Sequence, residues 1–336
     1  MVISRSSQPP RFLTAGLTAV ALIALTACSA GNSGGGDGGG GSAGGGDPVA
    51  VATTTQLGSI VEEITRCAGA ESATVMGPGD DPHDFSPSSQ QIAEMTRADL
   101  VVTNGLGLES GMQTALDNAT ADGAEIMEVA PEVDPLPFTA VDHHAEEHEH
   151  EHEHEGHEHS DGDPHFWMDV SRMAKAAELI GAKLEQVTGD EQYATCGTET
   201  ADELSSVDEE ITAILDEIPE DRRTLVTDHA AYNYFADAYG FEIAGVVIPG
   251  GSTDAEPSSE EMASLVDQME QEGADALVTG AGSDNKLVDA LSAETGGEVP
   301  VVKLYEGALG AEGSGAETYA EAMKVSAETL ADALPR

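Results

Sequence analysis

From Pro48 onward, short apolar runs alternate with amphipathic segments, a pattern typical of mainly parallel strands flanked by helices. A first series predicts strands at 49–53, 73–76, 100–103 and 125–128 and helices at 60–68, 88–98 and 109–118. A second series predicts strands at 224–227, 242–247, 276–279 and 301–303 and helices at 232–239, 258–272, 284–295 and 318–333. The predicted fold class is therefore α/β, with two lobes that each contain a mainly parallel four-stranded sheet.

The segment between the two series has no glycine or proline from Thr198 to Ile218. Its apolar residues recur at helical spacing, at Leu204, Val207, Ile211, Ile214, Leu215 and Ile218. This predicts one long helix at 189–218 that links an N-terminal lobe at 48–188 to a C-terminal lobe at 219–336.

The first 27 residues have the pattern of an export signal. Arg5 and Arg11 precede an apolar stretch at 12–27, which is shorter than the roughly 20 residues that span a bilayer. Leu25-Thr26-Ala27 before Cys28 resembles a bacterial lipobox, in which Cys28 becomes the lipidated first residue. The alternative is an ordinary cleavage site with an incidental cysteine.

A glycine-rich stretch follows the signal. Residues 31–47 include 11 glycines and have nothing to bury, so we expect 28–47 to be a flexible tether. With a lipid on Cys28, this tether would hold a soluble module beside an extracytoplasmic membrane face. The predicted location is therefore extracytoplasmic, with a lipid anchor in the cell membrane.

Composition narrows the class of ligand. The chain has 63 Asp and Glu against 13 Lys and Arg, for a formal charge of -50, so it has little with which to neutralise nucleic-acid phosphates. Aromatic residues make up 4%, with one Trp, which leaves little for a platform that stacks bases or sugars. A small polar or ionic ligand fits better than a nucleic acid.

Beyond Cys28 only Cys67 and Cys196 remain. An exported location permits a disulfide between them, and two buried free thiols are the alternative. Two cysteines cannot supply a Cys-rich zinc site.

Eight of the 11 histidines lie in a 17-residue tract with interleaved Glu, at His143, His144, His148, His150, His152, His154, His157 and His159. The tract has no apolar face, so we expect a solvated loop. Imidazoles beside carboxylates favour late first-row divalent ions such as zinc, copper or nickel. The other interpretation is a solvated spacer without a metal role.

The three remaining histidines each occupy a distinct local setting. His83 lies in a turn-rich loop after the strand at 73–76, His165 just before a helix, and His229 at the carboxyl end of the strand at 224–227. In open α/β sheets, ligands collect at the carboxyl ends of strands. A single histidine is more often a structural residue than a ligand, so only the three together indicate a ligand role.

Four segments carry a resemblance to a known family, at 78–85, 98–109, 163–169 and 225–229, the last together with Tyr234-Phe235. With them, the chain resembles the metal-specific substrate-binding lipoproteins of bacterial ABC importers, the zinc and manganese cluster, and most of all the zinc branch. The resemblance runs from about 49 to 334. It implies two lobes joined by a rigid helix, an ion in the cleft between them, an ABC permease as partner, a monomer, and no enzymatic activity.

The resemblance also implies the metal ligands. His83, His165 and His229 match the family's metal-binding histidines, and the manganese branch usually has Glu at the position of His229. Three imidazoles favour Zn²⁺ as the transported ligand. Where relatives have a fourth ligand, it is commonly an Asp at the position of Gly307, so Glu306, a water molecule or a histidine of the tract would complete the site here.

Ligating imidazoles usually donate their other N–H to a carboxylate or a carbonyl. The carboxylates nearest in sequence are Asp84, Asp163, Asp169 and Asp228. Each is as readily explained as a helix cap, a turn former or a surface acid.

Two other functions fit parts of the sequence. Three histidines with an open position also occur in catalytic zinc sites, but there is no His-Glu-x-x-His, and no Glu lies within four residues of His83, His165 or His229. The histidine tract alone would suit a surface zinc buffer or a metal-dependent adhesin. A manganese-binding relative is the remaining alternative, and the prediction is a non-enzymatic zinc-binding protein.

Overall fold

The computed structural model describes residues 47–138, 162–248, 253, 257–282, 285–297 and 299–334. The predicted signal segment, Cys28, most of the glycine-rich tether and the histidine tract at 143–159 lie outside the described residues. The described residues all belong to one compact unit.

The first sheet contains four parallel strands in the order β2-β1-β3-β4. They are β1 (Ala50–Ala52), β2 (Ser72–Thr74), β3 (Leu100–Thr103) and β4 (Ile126–Glu128). Val51 of β1 is in register with Ala73 of β2 on one side and with Val101 of β3 on the other. β1 and β3 are buried throughout, which explains their continuous apolar runs.

Three helices connect these strands, α1 (Thr55–Cys67), α2 (Ser89–Arg97) and α3 (Gln113–Ala121). α1 begins five residues before the predicted start because the Thr54 side chain accepts a hydrogen bond from the Leu57 N–H and caps the helix. The predicted helix at 109–118 begins instead as a 3₁₀ turn, Ser110–Met112, which leads into α3.

Two long helices follow, α4 (Val170–Thr188) and α5 (Gln192–Leu215). α5 is the long helix predicted at 189–218, shortened because Gly189, in the left-handed conformation, ends α4 and the chain turns before α5 starts. α4 and α5 pack closely where Gly181 faces Gly197, since a Cβ on Gly181 would lie 2.8 Å from the Gly197 Cα. A disulfide joins Cys67 at the end of α1 to Cys196 in α5.

The second sheet repeats the arrangement of the first, with parallel strands in the order β6-β5-β7-β8. The strands are β5 (Thr224–His229), β6 (Glu242–Ile248), β7 (Ala276–Gly280) and β8 (Val301–Leu304). Its helices are α6 (Asn233–Tyr239), α7 (Ser259–Glu272), α8 (Lys286–Glu294) and α9 (Tyr319–Ala333).

We refer to β1–β4, their helices and the segment through α4 as the N-terminal lobe, and to β5–β8 with their helices as the C-terminal lobe. α5 lies between them and contacts α1 on one side and α9 on the other. One apolar core runs through both lobes, from Leu57 and Leu100 through Trp167 and Ile211 to Leu330. Among the described residues, no helix combines the length and the apolar character needed to span a membrane.

Candidate metal centre

His83 enters the site from the loop that follows β2. Its backbone N–H donates to Asp81 Oδ1 at 2.9 Å, and its carbonyl oxygen accepts from Ser110 Oγ at 3.2 Å. These two bonds anchor the loop on both sides of the residue, which is buried. The ring is therefore presented to the cleft by a fixed piece of backbone.

His165 lies immediately before a 3₁₀ turn, Phe166–Met168, that leads into α4. Asp163 Oδ1 accepts from the His165 backbone N–H at 3.0 Å and lies 2.8 Å from the ring Nδ1. Asn233 of α6 donates to the other oxygen of Asp163 at 2.9 Å. Because the carboxylate accepts a hydrogen bond from the Nδ1–H, Nε2 of His165 is left with the lone pair that a metal needs.

His229 is the last residue of β5, so its side chain emerges at the carboxyl edge of the second sheet. Asp228 Oδ1 lies 2.9 Å from His229 Nδ1. The other oxygen, Oδ2, accepts from Thr279 Oγ1 at 2.6 Å and from the Gly280 N–H at 3.2 Å, both at the end of β7. The neighbouring strand thus holds Asp228, and Asp228 holds the imidazole.

The three imidazoles converge from both lobes. One ring nitrogen of each of His83, His165 and His229 lies within 4.8 Å of the others, and all three residues are buried. The His165 and His83 Nε2 atoms are 3.3 Å apart. Nitrogens on a tetrahedral ion with bonds of about 2.0–2.1 Å are about 3.3–3.4 Å apart, so this spacing suits a shared zinc-sized ion.

Glu306, in the segment after β8, lies beside His229 at the edge of this group. Its Oε1 is 3.6 Å from His229 Nε2, which is too long for a hydrogen bond. Both atoms are buried, and neither has a hydrogen-bond partner within the described part of the chain. A buried carboxylate and imidazole left in this state are suited to share a cation, so Glu306 is the candidate for a fourth donor.

The surroundings of His83 and His229 shift the pKa values of these two histidines in opposite directions. Burial, with the neighbouring rings of His165 and His229, lowers the pKa of His83 to about 2, so this ring is neutral. Burial also opposes a charge on His229, but the carboxylates of Glu306 and Asp228 outweigh it and raise the pKa of His229 well above its ordinary value. These carboxylates therefore favour the protonated form of His229, with which an incoming cation competes.

The site opens into a cleft between the lobes with a volume of about 860 Å³. The loop with Asp80 and Asp81 lines one side, and the start of α8 with Asn285 lines the other. His83, His229 and Glu306 lie on the wall of this cleft, so an ion can reach them from solvent.

The four carboxylates singled out in the sequence take different roles. Asp163 and Asp228 hold histidine rings, as described above. For the other two the alternative interpretation holds, since Asp84 is a surface acid on its loop and Asp169 caps α4 and pairs with Arg172 at 3.0 Å. Asp169 turns away from His165 because the intervening 3₁₀ turn places it at the start of the helix.

Sequence reasoning missed the residues that support the site from a distance. Gln56 and Trp167 both donate to the Glu306 carbonyl oxygen, and Tyr234 donates to the Asp163 carbonyl oxygen at 2.7 Å. Trp167 and Tyr234 do lie in motifs that the sequence singled out, although no role followed from them. Gln56 carries no sequence signal, because it opens an ordinary amphipathic helix.

Fold and site together define a two-lobed binding protein with a metal-ligating cleft. Residues 50–333 match the family described as zinc-uptake complex component A, periplasmic. The manganese-binding lipoprotein MntA of Halalkalibacterium halodurans is 30% identical over 289 residues, which cover 84% of this chain and 87% of MntA. The zinc-binding protein TroA of Treponema pallidum is 27% identical over 86% of this chain and 89% of TroA.

Solved structures agree with this assignment. The periplasmic zinc-binding protein TroA from Treponema pallidum superimposes with a TM-score of 0.72 at 26% identity, over 87% of this chain and all of TroA. A manganese-bound periplasmic metal-binding protein from Candidatus Liberibacter asiaticus shares the fold, with a TM-score of 0.71 at 20% identity over 86% of this chain and 100% of that one.

This chain belongs to the family of periplasmic A components of zinc-uptake complexes. It is an extracytoplasmic, metal-binding substrate-binding protein of the zinc and manganese ABC-importer cluster, and it is not an enzyme. The resemblance read from the sequence motifs and the predicted α/β fold are both confirmed.

Proposed function

We propose that this protein captures Zn²⁺ between its lobes and delivers it to the membrane permease of an ABC importer. The observation that carries the proposal is the convergence of three buried imidazoles, from His83, His165 and His229, on a space of ionic size. Two of the rings are held by carboxylates in the orientation that leaves Nε2 for the ion. The ion is cargo, so the site has to bind it without performing chemistry on it.

The donor set supports zinc over manganese. Relatives named for each metal share this architecture, so the fold does not discriminate between the two ions. Three imidazole nitrogens and one carboxylate oxygen, from Glu306, match the four-coordinate preference of Zn²⁺, whereas Mn²⁺ favours more oxygen donors. A glutamate in place of His229 would move the site toward manganese.

The residues that precede the binding unit fit a protein that is tethered to a membrane by a lipid. In this proposal residues 1–27 are removed as a signal, Cys28 carries the lipid, and 28–47 form the tether. The module works as a monomer, with the N-terminal lobe at 48–188, the linking helix at 189–218 and the C-terminal lobe at 219–336.

The histidine tract at 143–159 suggests an accessory role. Its eight histidines would recruit zinc when it is scarce or buffer it in excess, at lower affinity than the cleft. The same tract favours a second candidate function, a surface zinc buffer or a metal-dependent adhesin that needs no permease.

The test is calorimetric titration of residues 46–336 with Zn²⁺ and with Mn²⁺. Two variants are compared, one that lacks 143–159 and one with His229→Ala. We expect one tight zinc site that survives the deletion and is lost in His229→Ala, with manganese bound more weakly. Tight zinc binding that disappears with the tract and ignores His229 would instead support the surface buffer.

A further inference from the structure

The peptide group of Glu306 is held by side chains of the opposite lobe. Gln56 Nε2, in the first turn of α1, donates to the Glu306 carbonyl oxygen at 2.6 Å. Trp167 Nε1, beside the start of α4, donates to the same oxygen at 2.9 Å. Gln56 is 3% exposed and Trp167 is 2% exposed, so both bonds are shielded from water.

The segment on either side of Glu306 is also fixed. The Tyr305 N–H donates to Ser326 Oγ of α9 at 2.9 Å, and the Leu309 N–H donates to Thr55 Oγ1 of α1 at 3.0 Å. With its carbonyl engaged twice and both flanks bonded, this peptide cannot rotate without breaking several buried hydrogen bonds. The backbone from which the Glu306 side chain extends is thereby fixed, and Oε1 of that side chain lies 3.6 Å from His229 Nε2.

Trp167 connects this arrangement to a second ligand. Its ring lies against that of His165, with centroids 5.2 Å apart. Its carbonyl oxygen accepts from the Tyr319 hydroxyl at 2.5 Å, so the turn that carries His165 is bonded to the C-terminal lobe as well. The same set of contacts therefore positions one proposed metal ligand from each lobe, His165 and Glu306.

We propose that Gln56 and Trp167 are positioning residues that hold the Glu306 carboxylate as the fourth ligand of the cleft. This inference rests on the proposed function. Since both donors belong to the N-terminal lobe and Glu306 belongs to the C-terminal lobe, the fourth ligand is correctly placed only while the lobes are in contact. Separation of the lobes would break both bonds, loosen the carboxylate and favour release of the ion.

The test is a double-mutant cycle on the full binding unit, residues 46–336. The variants are Gln56→Leu, Trp167→Phe, Glu306→Ala and the double variant Gln56→Leu with Glu306→Ala. Glu306→Ala removes the carboxylate but keeps the carbonyl that Gln56 and Trp167 bind. Zinc affinity is read by competition with a chromogenic chelator, because Trp167→Phe removes the only tryptophan of the chain.

We expect Gln56→Leu and Trp167→Phe each to lower zinc affinity about tenfold, as loss of support for a metal ligand commonly does. In the Glu306→Ala background, Gln56→Leu should cause no further loss. The Co²⁺-loaded Gln56→Leu protein should show the same change in its visible spectrum as Glu306→Ala, because that spectrum reports ligand geometry.

Gln268→Leu is the matched control, since Gln268 Nε2 makes the same kind of bond to the Ala244 carbonyl oxygen at 2.5 Å and Gln268 belongs to α7. It should leave the affinity and the spectrum unchanged. A Gln56→Leu loss that is equally large without the Glu306 carboxylate would overturn the inference, as would no loss in Gln56→Leu or in Glu306→Ala. The proposed function fails by a separate result, if His229→Ala binds zinc as tightly as the wild type.

Discussion

At the scale of single residues, the site depends on which nitrogen of each imidazole is free. Asp163 and Asp228 each lie against Nδ1 of a histidine, at 2.8 and 2.9 Å. Each carboxylate is itself held by the other lobe or by a neighbouring strand, through Asn233 and Thr279. The ion-binding face is thus prepared before the ion arrives, which lowers the cost of ordering the ligands on binding.

Asp228→Asn should weaken zinc binding by about 10–100-fold. An amide can donate to Nδ1 as well as accept from it, so the ring is no longer held in the tautomer that leaves Nε2 for the metal. Chelator competition measures the change. Asp84→Asn is the control, because Asp84 follows His83 in the chain but is exposed, and an equal loss in that variant would contradict the assigned role.

Zinc binding should release a proton from His229. The pKa of this residue is raised well above its ordinary value by Glu306 and Asp228 despite burial, while burial lowers the pKa of His83. At neutral pH the cation therefore competes with a proton at His229 and not at His83. Affinity should keep rising as pH increases past the ordinary histidine range, until it reaches the raised pKa.

Calorimetry in two buffers with different ionisation enthalpies measures this release. About one proton per zinc is expected at pH 7. Zero protons released, with an affinity that levels off near pH 6.5, would show that His229 is already neutral in the metal-free protein.

At the scale of elements, α1 and α5 form the frame on which the site is built. α1 supplies Gln56 at one end and is joined to α5 through Cys67 and Cys196 at the other. Between these points the carboxyl groups of Glu63 in α1 and Glu203 in α5 share a hydrogen bond. Burial, together with Glu203, raises the pKa of Glu63 to about 7.

This pair should make the stability of the protein depend on pH. Because the pKa of Glu63 is higher in the folded state than in the unfolded chain, the folded state binds the extra proton, and the stability it provides is present at low pH. That stability is lost as pH rises from the ordinary range of a glutamate toward about 7.

Glu63→Gln tests the effect, since its amide can keep the hydrogen bond but carries no charge. Its melting temperature should exceed that of the wild type at pH 8 and approach it at pH 5. Glu62→Gln, which changes the exposed neighbouring residue, should show no such crossover. A Glu63→Gln protein that melts with the wild type at every pH would remove the pair as a source of pH dependence.

Local signals in the sequence account for most elements but not for all of their ends. Both sheets were predictable because buried parallel strands such as β3 have uninterrupted apolar runs. The start of α1 was missed although Thr54 is a suitable cap, because the apolar periodicity becomes clear only farther along. The roles of Asp163 and Asp169 could not be separated, since the 3₁₀ turn between them has no distinct periodicity.

At the scale of the whole molecule, the site is assembled from contacts that local patterns do not encode. The convergence of His83, His165 and His229 was expected from the family resemblance and from strand ends. The bond from Gln56 to Glu306 joins residues 250 positions apart, and no local pattern links the two. The sequence left Glu306, a water molecule and a histidine of the tract as alternatives for the fourth ligand, and it does not specify how the segment after β8 is anchored.

The acidic charge of the chain should make its stability depend strongly on salt. The formal charge of the chain is -50. Its acidic groups lie closer together in the folded state than in the unfolded chain, so their mutual repulsion destabilises the fold. The screening length falls from about 10 Å at 0.1 M salt to about 3 Å at 1 M. The melting temperature at pH 7.5 should therefore rise with NaCl and then level off as screening becomes complete.

Zinc capture should respond to salt in the opposite direction, because the field that destabilises the fold also attracts cations. The association rate should fall as NaCl is increased over the same range in which the melting temperature rises.

Melting scans at pH 4.5, close to the sequence pI of about 4.1, are the control for the effect of salt on stability, since most of the repulsion is absent there. An equally large rise in melting temperature at pH 4.5 would indicate that salt acts through apolar burial and not through the charge of the molecule.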